Sequence, residues 1–237
     1  MKDLEDGARR ACTHKQEAVG GYEKLLVAKV YMKKQFLELI DNEIQNARQG
    51  LRAAVTVKVN GLDDIDLTQK LYEAAAAGVR VDAIVRGVCR LRPGVPGLSE
   101  NIRVVSVVGR FLEHHRVFVF HNAGDPRYFF GSADWMTRNL ERRVEVAVPI
   151  SSEPIKRRIK EVLAMFLCDG VGSWEKREDG SYHNPATRTN EATRSALFVA
   201  GEKLEESFIK DIMERSMQVG AQQTLIELGQ REDVPKQ

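Results

Sequence analysis

The stretch AAVTVKVNGLDDIDLTQKLYEAAAAGVRVDAIV, residues 53–85, contains two apolar runs rich in β-branched residues, separated by a helix-like segment. Residues 53–59 and 79–85 are the predicted strands, because β-branched side chains favour extended backbone. Between them, apolar residues recur at helical spacing from Leu67 to Ala77, and Gly78 ends the pattern. Strands that alternate with helices in this way predict a mostly parallel sheet covered on both faces.

The alternation continues on both sides of this unit. An apolar run at 25–28 predicts a strand, and residues 36–47 predict a helix that stops at Gly50. Four more strands are predicted at 102–108, 117–120, 128–131 and 144–148, followed by a helix face within 155–166. The predicted fold class is therefore α/β, with a mixed, mostly parallel sheet flanked by helices.

The chain divides into three predicted regions. Residues 1–24 are polar and without period, so they are interpreted as an N-terminal tail. Residues 25–185 contain the alternating strands and helices and form the predicted domain. Residues 186–237 are predicted to be a helical C-terminal extension, because apolar residues recur at helical spacing between Ala192 and Leu228.

Composition excludes several classes of protein. The chain has 237 residues, 36 Lys+Arg against 34 Asp+Glu and a net charge of +2, so it is no polycation and a nucleic-acid partner is not expected. No apolar run approaches the roughly 20 residues of a membrane span. Three scattered cysteines and no signal-peptide pattern predict reduced thiols in a cytoplasmic protein. No metal site is predicted.

The stretch GRFLEHHRVFVFH, residues 109–121, carries the most informative polar residues. Strand alternation places His114 and Arg116 on one face and His115 on the other. A histidine beside a permanent cation suits phosphate, because guanidinium binds phosphate oxygens and imidazole can donate to, or attack, a phosphoryl centre. The same pair could equally form a polar strand edge, and the spacing alone leaves both interpretations open.

Further candidate phosphate ligands follow other predicted strands. Arg86 opens the loop RGVCRLRPG, residues 86–94, at the carboxyl end of a strand, where open α/β sheets bind ligands. Lys58 ends the preceding strand and could line the same crevice. Ser132 belongs to the small-residue turn GSAD, residues 131–134, whose donors could approach an anion closely. Taken singly, each of these features is also common in solvated loops.

Four motifs together resemble the last catalytic domain of bacterial polyphosphate kinase. They are RGVCRLRPGV at 86–95, GLSENIR at 97–103, FLEH at 111–114 and SADWMTRN at 132–139. The resemblance runs from about residue 25 to residue 182. It implies a phospholipase D-like fold, in which two homologous domains face each other across one phosphoryl-transfer site.

The resemblance also implies the reaction and its ligands. The family moves the terminal phosphate of ATP reversibly onto polyphosphate, and the residues that match Arg86 and His114 contact the nucleotide phosphates. Arg116, Lys58 and Ser132 are weaker candidates. The phosphorylated histidine and the arginines that bind magnesium-associated phosphate belong to the preceding domain, so Mg²⁺ ligands are not expected in this chain.

Three positions depart from the phospholipase D pattern of His-x-Lys, four residues, Asp, and then Gly-Ser-x-Asn. Arg116 stands where Lys is usual, His121 where Asp is usual, and Asp134 where Asn is usual. These departures fit the kinase branch better than a phosphodiesterase. His121 also has the wrong strand parity to join His114, so it is interpreted as structural.

Because no upstream segment could hold the phosphorylated histidine, this chain is expected to be a C-terminal fragment that binds ATP or ADP weakly and is inactive alone. Two alternatives remain open. Two copies could pair their His114 residues as a homodimeric phosphodiesterase or nuclease, or the chain could be a non-catalytic module that binds nucleotide or polyphosphate. A homo-oligomer is possible under any of these hypotheses.

Overall fold

The computed structural model describes residues 25–184, 198–199, 202–203 and 214–232, and a nine-stranded mixed sheet lies at its centre. The strands of this sheet are β1 (Leu26–Val27), β2 (Ala54–Val59), β3 (Arg80–Val85), β4 (Ile102–Val107), β5 (Arg116–Phe120), β6 (Arg127–Gly131), β7 (Val146–Ile150), β8 (Ser173–Lys176) and β9 (Tyr182–His183). The helices are α1 (Met32–Arg48), α2 (Ile65–Ala76), α3 (Thr137–Arg142), α4 (Glu153–Leu167), α5 (Glu214–Val219) and α6 (Ala221–Glu232). Two further strands, β10 (Phe198–Val199) and β11 (Glu202–Lys203), pair with each other.

The strand order across the sheet is β1-β7-β6-β5-β2-β3-β4-β8-β9. The central strands β2, β3 and β4 are parallel, with Val59 opposite Val85. All other neighbours in this sheet are antiparallel, including β5 with β2. The carboxyl ends of β2, β3 and β6 therefore lie beside the start of β5. We call this the upper end of the sheet, and the opposite one the lower end.

Helices cover both faces of the sheet. On one face, α1 and α2 enclose a core around Phe36, whose ring centroid lies 4.6 Å from that of Phe118 and 5.5 Å from that of Trp135. On the other face, α4 and α6 contribute Phe166 and Ala221 to a second core. The C-terminal helix α6 thus packs directly on the α/β domain.

The predicted fold class is confirmed as a large mixed sheet flanked by helices, and the predicted β2–α2–β3 unit is present. Gly78 follows the last turn of α2 with a φ of 94°, the left-handed conformation that glycine tolerates best. The sheet is less parallel than predicted, since only β2–β3 and β3–β4 pair in that sense within the described sheet. The short connection after β5, residues 121–126, allows only antiparallel return, which strand periodicity does not reveal.

The prediction for the C-terminal extension is partly confirmed. Helices α5 and α6 occupy Glu214–Val219 and Ala221–Glu232, but β10 and β11 interrupt the helix expected from Ala192 onward. Strands β8 and β9, which follow α4, are not among the predicted strands. The predicted tail at 1–24 lies outside the described residues. Among the described helices, none is both long and apolar enough to cross a membrane.

Glu43 is a buried carboxylate that joins two strands at the lower end. Its Oε2 accepts a hydrogen bond from Ala54 N at 3.1 Å, and its Oε1 accepts one from Asn122 N at 2.6 Å. It thereby connects α1 to the start of β2 and to the turn after β5. Burial raises the pKa of Glu43 to about 7, although the two backbone bonds act in the opposite direction.

We expect Glu43→Ala to lower the free energy of unfolding by about 2–4 kcal/mol, because two backbone N–H groups lose their acceptor. Glu38→Ala, an exposed change on the same helix, should stay within about 0.5 kcal/mol of the parent. Urea unfolding monitored by circular dichroism measures both values. Equal stability of the two variants would contradict this role.

The raised pKa of Glu43 also determines whether its contribution to stability grows or declines with pH. The folded state binds this proton more tightly than the unfolded chain, so the contribution of Glu43 to stability declines as pH rises from about 4.5 to about 7. Glu43→Ala should lack that component of the pH dependence.

Candidate functional site

The upper end of the sheet brings together most of the polar residues singled out in the sequence. Asn60 follows β2, Arg86 follows β3 and Arg116 begins β5, while Asp134 follows β6. The register places Arg116 opposite Gly131 and Lys58 opposite Val117. Residues far apart in sequence therefore share one end of the sheet because β5 runs against its neighbours.

Asp134 and Arg116 form a two-pronged ion pair at the centre of this end. Arg116 Nε donates to Asp134 Oδ1 at 3.2 Å, and Arg116 Nη2 donates to Asp134 Oδ2 at 3.0 Å. The backbone N–H of Asn60 donates to Asp134 Oδ1 at 2.6 Å. Burial by itself would raise the pKa of Asp134, but the bonds from Arg116 and Asn60 hold it below its usual value.

His114 lies in the loop just before β5 and is exposed. Arg116 Nη1 donates to His114 O at 2.8 Å and lies 3.0 Å from His114 Nδ1. Guanidinium has no acceptor atoms, so Nδ1 must accept this bond and the neutral ring must carry its proton on Nε2. His114 thus keeps an N–H donor on the atom turned away from Arg116.

Arg86 is held by its backbone at the end of β3. Its N–H donates to Val59 O at 3.2 Å, and its carbonyl accepts a bond from Ser106 Oγ at 3.0 Å. Within the described ranges, no acceptor is hydrogen bonded to its guanidinium. The backbone of Arg86 is therefore fixed while its charged group stays available to an anion.

Lys58 lies under the site and does not line its surface. Its residue is 1 % exposed, with Nζ 3.5 Å from His115 O and 5.2 Å from the ring centroid of Phe166. Burial lowers its pKa to about 8; the charge of Glu113 acts in the opposite direction, and those of Arg86 and Arg116 act in the same one. Contact of Lys58 with phosphate stays a prediction, and it would require Phe166 of α4 to uncover the side chain.

His115 points to the opposite side from His114, as strand parity predicted. Its ring lies 5.6 Å from that of Phe166, and its Nδ1 lies 3.4 Å from Glu113 Oε2. Burial, with the charges of Lys58 and Arg116, lowers the pKa of His115 to about 4, so it is neutral at pH 7. In the described part of the chain its Nε2 has no hydrogen-bond partner.

Ser132 is close to the site in sequence, but its donors are engaged elsewhere. Its hydroxyl donates to Glu145 Oε2 and accepts from Val146 N at 3.2 Å, and its own N–H donates to Val146 O at 3.0 Å. These bonds attach the turn after β6 to the start of β7. A role for Ser132 as a phosphate donor stays a prediction, and it would require the bond to Glu145 to break.

His121 lies apart from this cluster, and the hydrogen bonds described for Arg90 and Arg92 join them to other residues. His121 follows β5 at the lower end of the sheet, roughly 20 Å along the strand from His114, so the two histidines cannot share a site. Arg90 Nε donates to Asp63 O at 3.0 Å. Arg92 is exposed, and the bond recorded for it joins its backbone N–H to Tyr72 Oη at 2.8 Å.

The contact that the sequence analysis did not predict is the one that Asp134 makes with Arg116 and Asn60. In the sequence, Asp134 stands out only as a substitution in the phospholipase D pattern. Charge is the feature that could have predicted this contact. A buried position beside Arg116 favours an acidic residue, because a carboxylate can accept two hydrogen bonds from one guanidinium group.

The residues at this end do not fit a divalent metal ion. Both oxygens of Asp134 accept bonds from Arg116, Glu113 Oε1 accepts one from Gln222, and Glu113 Oε2 lies 3.4 Å from His115 Nδ1. Among the described residues, no group of three His, Cys, Asp or Glu is arranged for a metal. The surrounding cations would also repel Mg²⁺, which prefers oxygen ligands. The arrangement suits an anion.

Comparison with known proteins identifies the family. The protein-family model described as "Polyphosphate kinase C-terminal domain 2" matches residues 25–196. The chain belongs to this family. A polyphosphate kinase from Thermosynechococcus vestitus is 50 % identical over 173 residues, which cover 73 % of this chain and 24 % of that protein. One from Pseudomonas aeruginosa is 44 % identical over 181 residues, 76 % of this chain and 26 % of that protein.

A solved structure agrees with these sequence matches. Polyphosphate kinase from Porphyromonas gingivalis superposes with a TM-score of 0.71 at 33 % identity, covering 90 % of this chain and 32 % of that one. The family predicted from the four motifs is confirmed, and its members are phosphotransferases. The chain spans about a quarter of the length of the curated relatives that it matches.

We expect Asp134→Asn to lower the free energy of unfolding by about 3 kcal/mol, because it leaves the partly buried Arg116 without its counter-charge. The double variant Arg116→Gln/Asp134→Asn removes both charges and should be less destabilised than the single one. Urea unfolding of the single and double variants gives the coupling energy. Strictly additive effects would show that the ion pair contributes nothing to stability.

Proposed function

We propose that this chain supplies the phosphate-binding half of a polyphosphate kinase site, where ATP and polyphosphate exchange a phosphoryl group. The observation that carries the proposal is the excess of donors at the upper end of the sheet. Arg86, Arg116 and His114 lie there, while both oxygens of the Asp134 carboxylate are engaged by Arg116 and Asn60. Family membership supports the same class of ligand.

Each of the three residues has a distinct part in this proposal. The guanidinium of Arg86 binds non-bridging phosphate oxygens, because it is charged at any working pH and is not tied up by a described acceptor. The Nε2–H of His114 donates to a further oxygen, since Arg116 holds its Nδ1. Arg116 orients the imidazole and adds charge. Fixed donors of this kind offset the charge that builds on a transferring phosphoryl group.

Lys58 contributes at longer range. Its ammonium group is buried within Coulomb range of Arg86 and Arg116, so it raises the positive potential of the site without contacting the ligand. This role needs the charged form of Lys58, which predominates below a pH of about 8. The potential of the site should therefore depend on pH.

The proposal places the phosphorylated histidine, and any Mg²⁺, in the preceding domain of the complete enzyme. It is supported by the relatives, which are about four times as long as the matched segment. This 237-residue polypeptide would then bind ATP, ADP or polyphosphate but would not synthesise polyphosphate alone. We place it in the cytoplasm, because Cys89 and Cys168 are free thiols.

The test measures the affinity of the purified chain for ATP and inorganic tripolyphosphate by calorimetry. Arg86→Ala and His114→Ala should each raise Kd by about 10- to 100-fold, the cost of one lost hydrogen bond to a charged group. Arg48→Ala, an exposed change in the last turn of α1 near the lower end, should leave Kd unchanged. Unaltered binding in the first two variants would exclude both residues from the site.

The same preparation tests whether the chain acts alone. We expect no ATP-dependent formation of polyphosphate by the wild-type polypeptide, because the second half of the reaction requires the phosphohistidine. Robust turnover would show that no other domain is needed. Hydrolysis of a generic phosphodiester by a dimeric form would instead favour the phosphodiesterase hypothesis.

The charge of Lys58 generates a pH prediction. Between pH 7 and pH 9, Lys58 loses its proton, so Kd for ATP should rise by about 3- to 10-fold, the effect of about 1 kcal/mol from one partly screened charge. Lys58→Met should bind more weakly at pH 7 and show a flatter profile. Comparison of the wild-type chain with Lys58→Met removes the contribution that titration of ATP itself makes to Kd. Parallel plots of Kd against pH for the two proteins would contradict a role for Lys58.

A further inference from the structure

The C-terminal helix α6 contacts the loop that carries His114. Gln222, in its first turn, exchanges two hydrogen bonds with the backbone of Phe111: Gln222 Nε2 donates to Phe111 O at 2.8 Å, and Gln222 Oε1 accepts from Phe111 N at 3.0 Å. A side-chain amide that pairs in both directions with one residue fixes the orientation of that backbone as well as its position.

The same amide also reaches the residue that precedes His114. Gln222 Nε2 donates to Glu113 Oε1 at 2.7 Å, and Glu113 Oε2 lies 3.4 Å from His115 Nδ1. The contacts that begin at Gln222 thus restrain the neighbours of His114 on both sides. From the other direction, Arg116 holds the carbonyl of His114.

Gly109 allows this close approach. A Cβ at position 109 would lie 2.5 Å from Gln222 Oε1 and 2.9 Å from its Cδ, inside the contact distance of any real side chain. A side chain at position 109 would therefore displace the Gln222 amide from its place beside Phe111.

The domain itself determines where Gln222 lies. Asp169, at the end of α4, accepts a bond from Ala221 N through Oδ2 at 2.6 Å, and its Oδ1 accepts from Val171 N and Gly172 N. Ala221 is fully buried in the second core. The first turn of α6 is thereby anchored one residue before Gln222.

We propose that Gln222 is a positioning residue for the phosphate site: α6 uses it to hold the His114 loop so that the imidazole meets Arg116. The inference rests on the proposed function of His114. It adds a residue outside the segment 25–196 that the family model matches, and it gives the C-terminal extension a role in ligand binding.

Gln222→Ala tests the inference, with Gln223→Ala as the matched control, because Gln223 is exposed and pairs with Glu227 on the same helix. Leu228→Ala is a second control that reduces packing of α6 on the second core without touching the loop. Three measurements are made at a temperature where every variant is folded: amide exchange at Phe111, the NMR signals of the His114 ring, and Kd for inorganic tripolyphosphate.

In Gln222→Ala we expect exchange at the Phe111 amide to be about fivefold faster, since one hydrogen bond is lost. The His114 ring signals should shift, and Kd should rise several-fold, while both controls stay within twofold of wild type. Unchanged exchange, or faster exchange with unchanged Kd, would overturn the inference. An equal rise of Kd in Leu228→Ala would also overturn it, by showing a general effect of helix packing.

Failure of the proposed function gives a different result. In that case the wild-type chain does not bind tripolyphosphate, or His114→Ala binds it as well as wild type does. Either result would also overturn the positioning role of Gln222. If instead His114→Ala weakens binding and Gln222→Ala does not, only the positioning role is lost.

Discussion

The site depends on the ion pair between Arg116 and Asp134. Asp134 is buried where β6 ends, and it accepts bonds from the first residue of β5 and from Asn60 after β2. One carboxylate therefore fixes three chain segments relative to one another. Arg116 is immobilised by this pair, so its remaining nitrogen, Nη1, can hold His114 in one orientation and one tautomer.

The pair also bears on how positive charge gathers at one end of a nearly neutral chain. Asp134 neutralises Arg116 in part, and the charge of Glu113 acts on the buried Lys58, whereas no described acceptor is hydrogen bonded to the guanidinium of Arg86. Lys58 is screened from water by Phe166, so its charge acts through protein and is weakened less than a surface charge would be. The net charge of +2 over the whole chain gives no indication of this uneven distribution.

Local patterns predicted much of the fold and part of the site. The periods of residues 53–85 identified β2, α2 and β3, and strand parity separated His114 from His115. The burial of Lys58 could not be predicted, because strand alternation shows on which face of the sheet a side chain lies but not which helix covers that face. Asp134 and Gln222 were missed for a related reason: their partners lie 18 to 111 positions away, and only the folded sheet and the docked α6 bring them together.

The two parts of the candidate site rest on different parts of the fold. Arg86 follows a central strand that is covered on both faces, whereas the His114 loop leans on a helix at the end of the chain. Sub-global opening of α6 would release His114 and leave Arg86 in place. By mass action, a ligand that needs both residues must favour the docked form of α6. Ligand binding at the proposed phosphate site would then stabilise the docked position of a helix that no ligand atom touches.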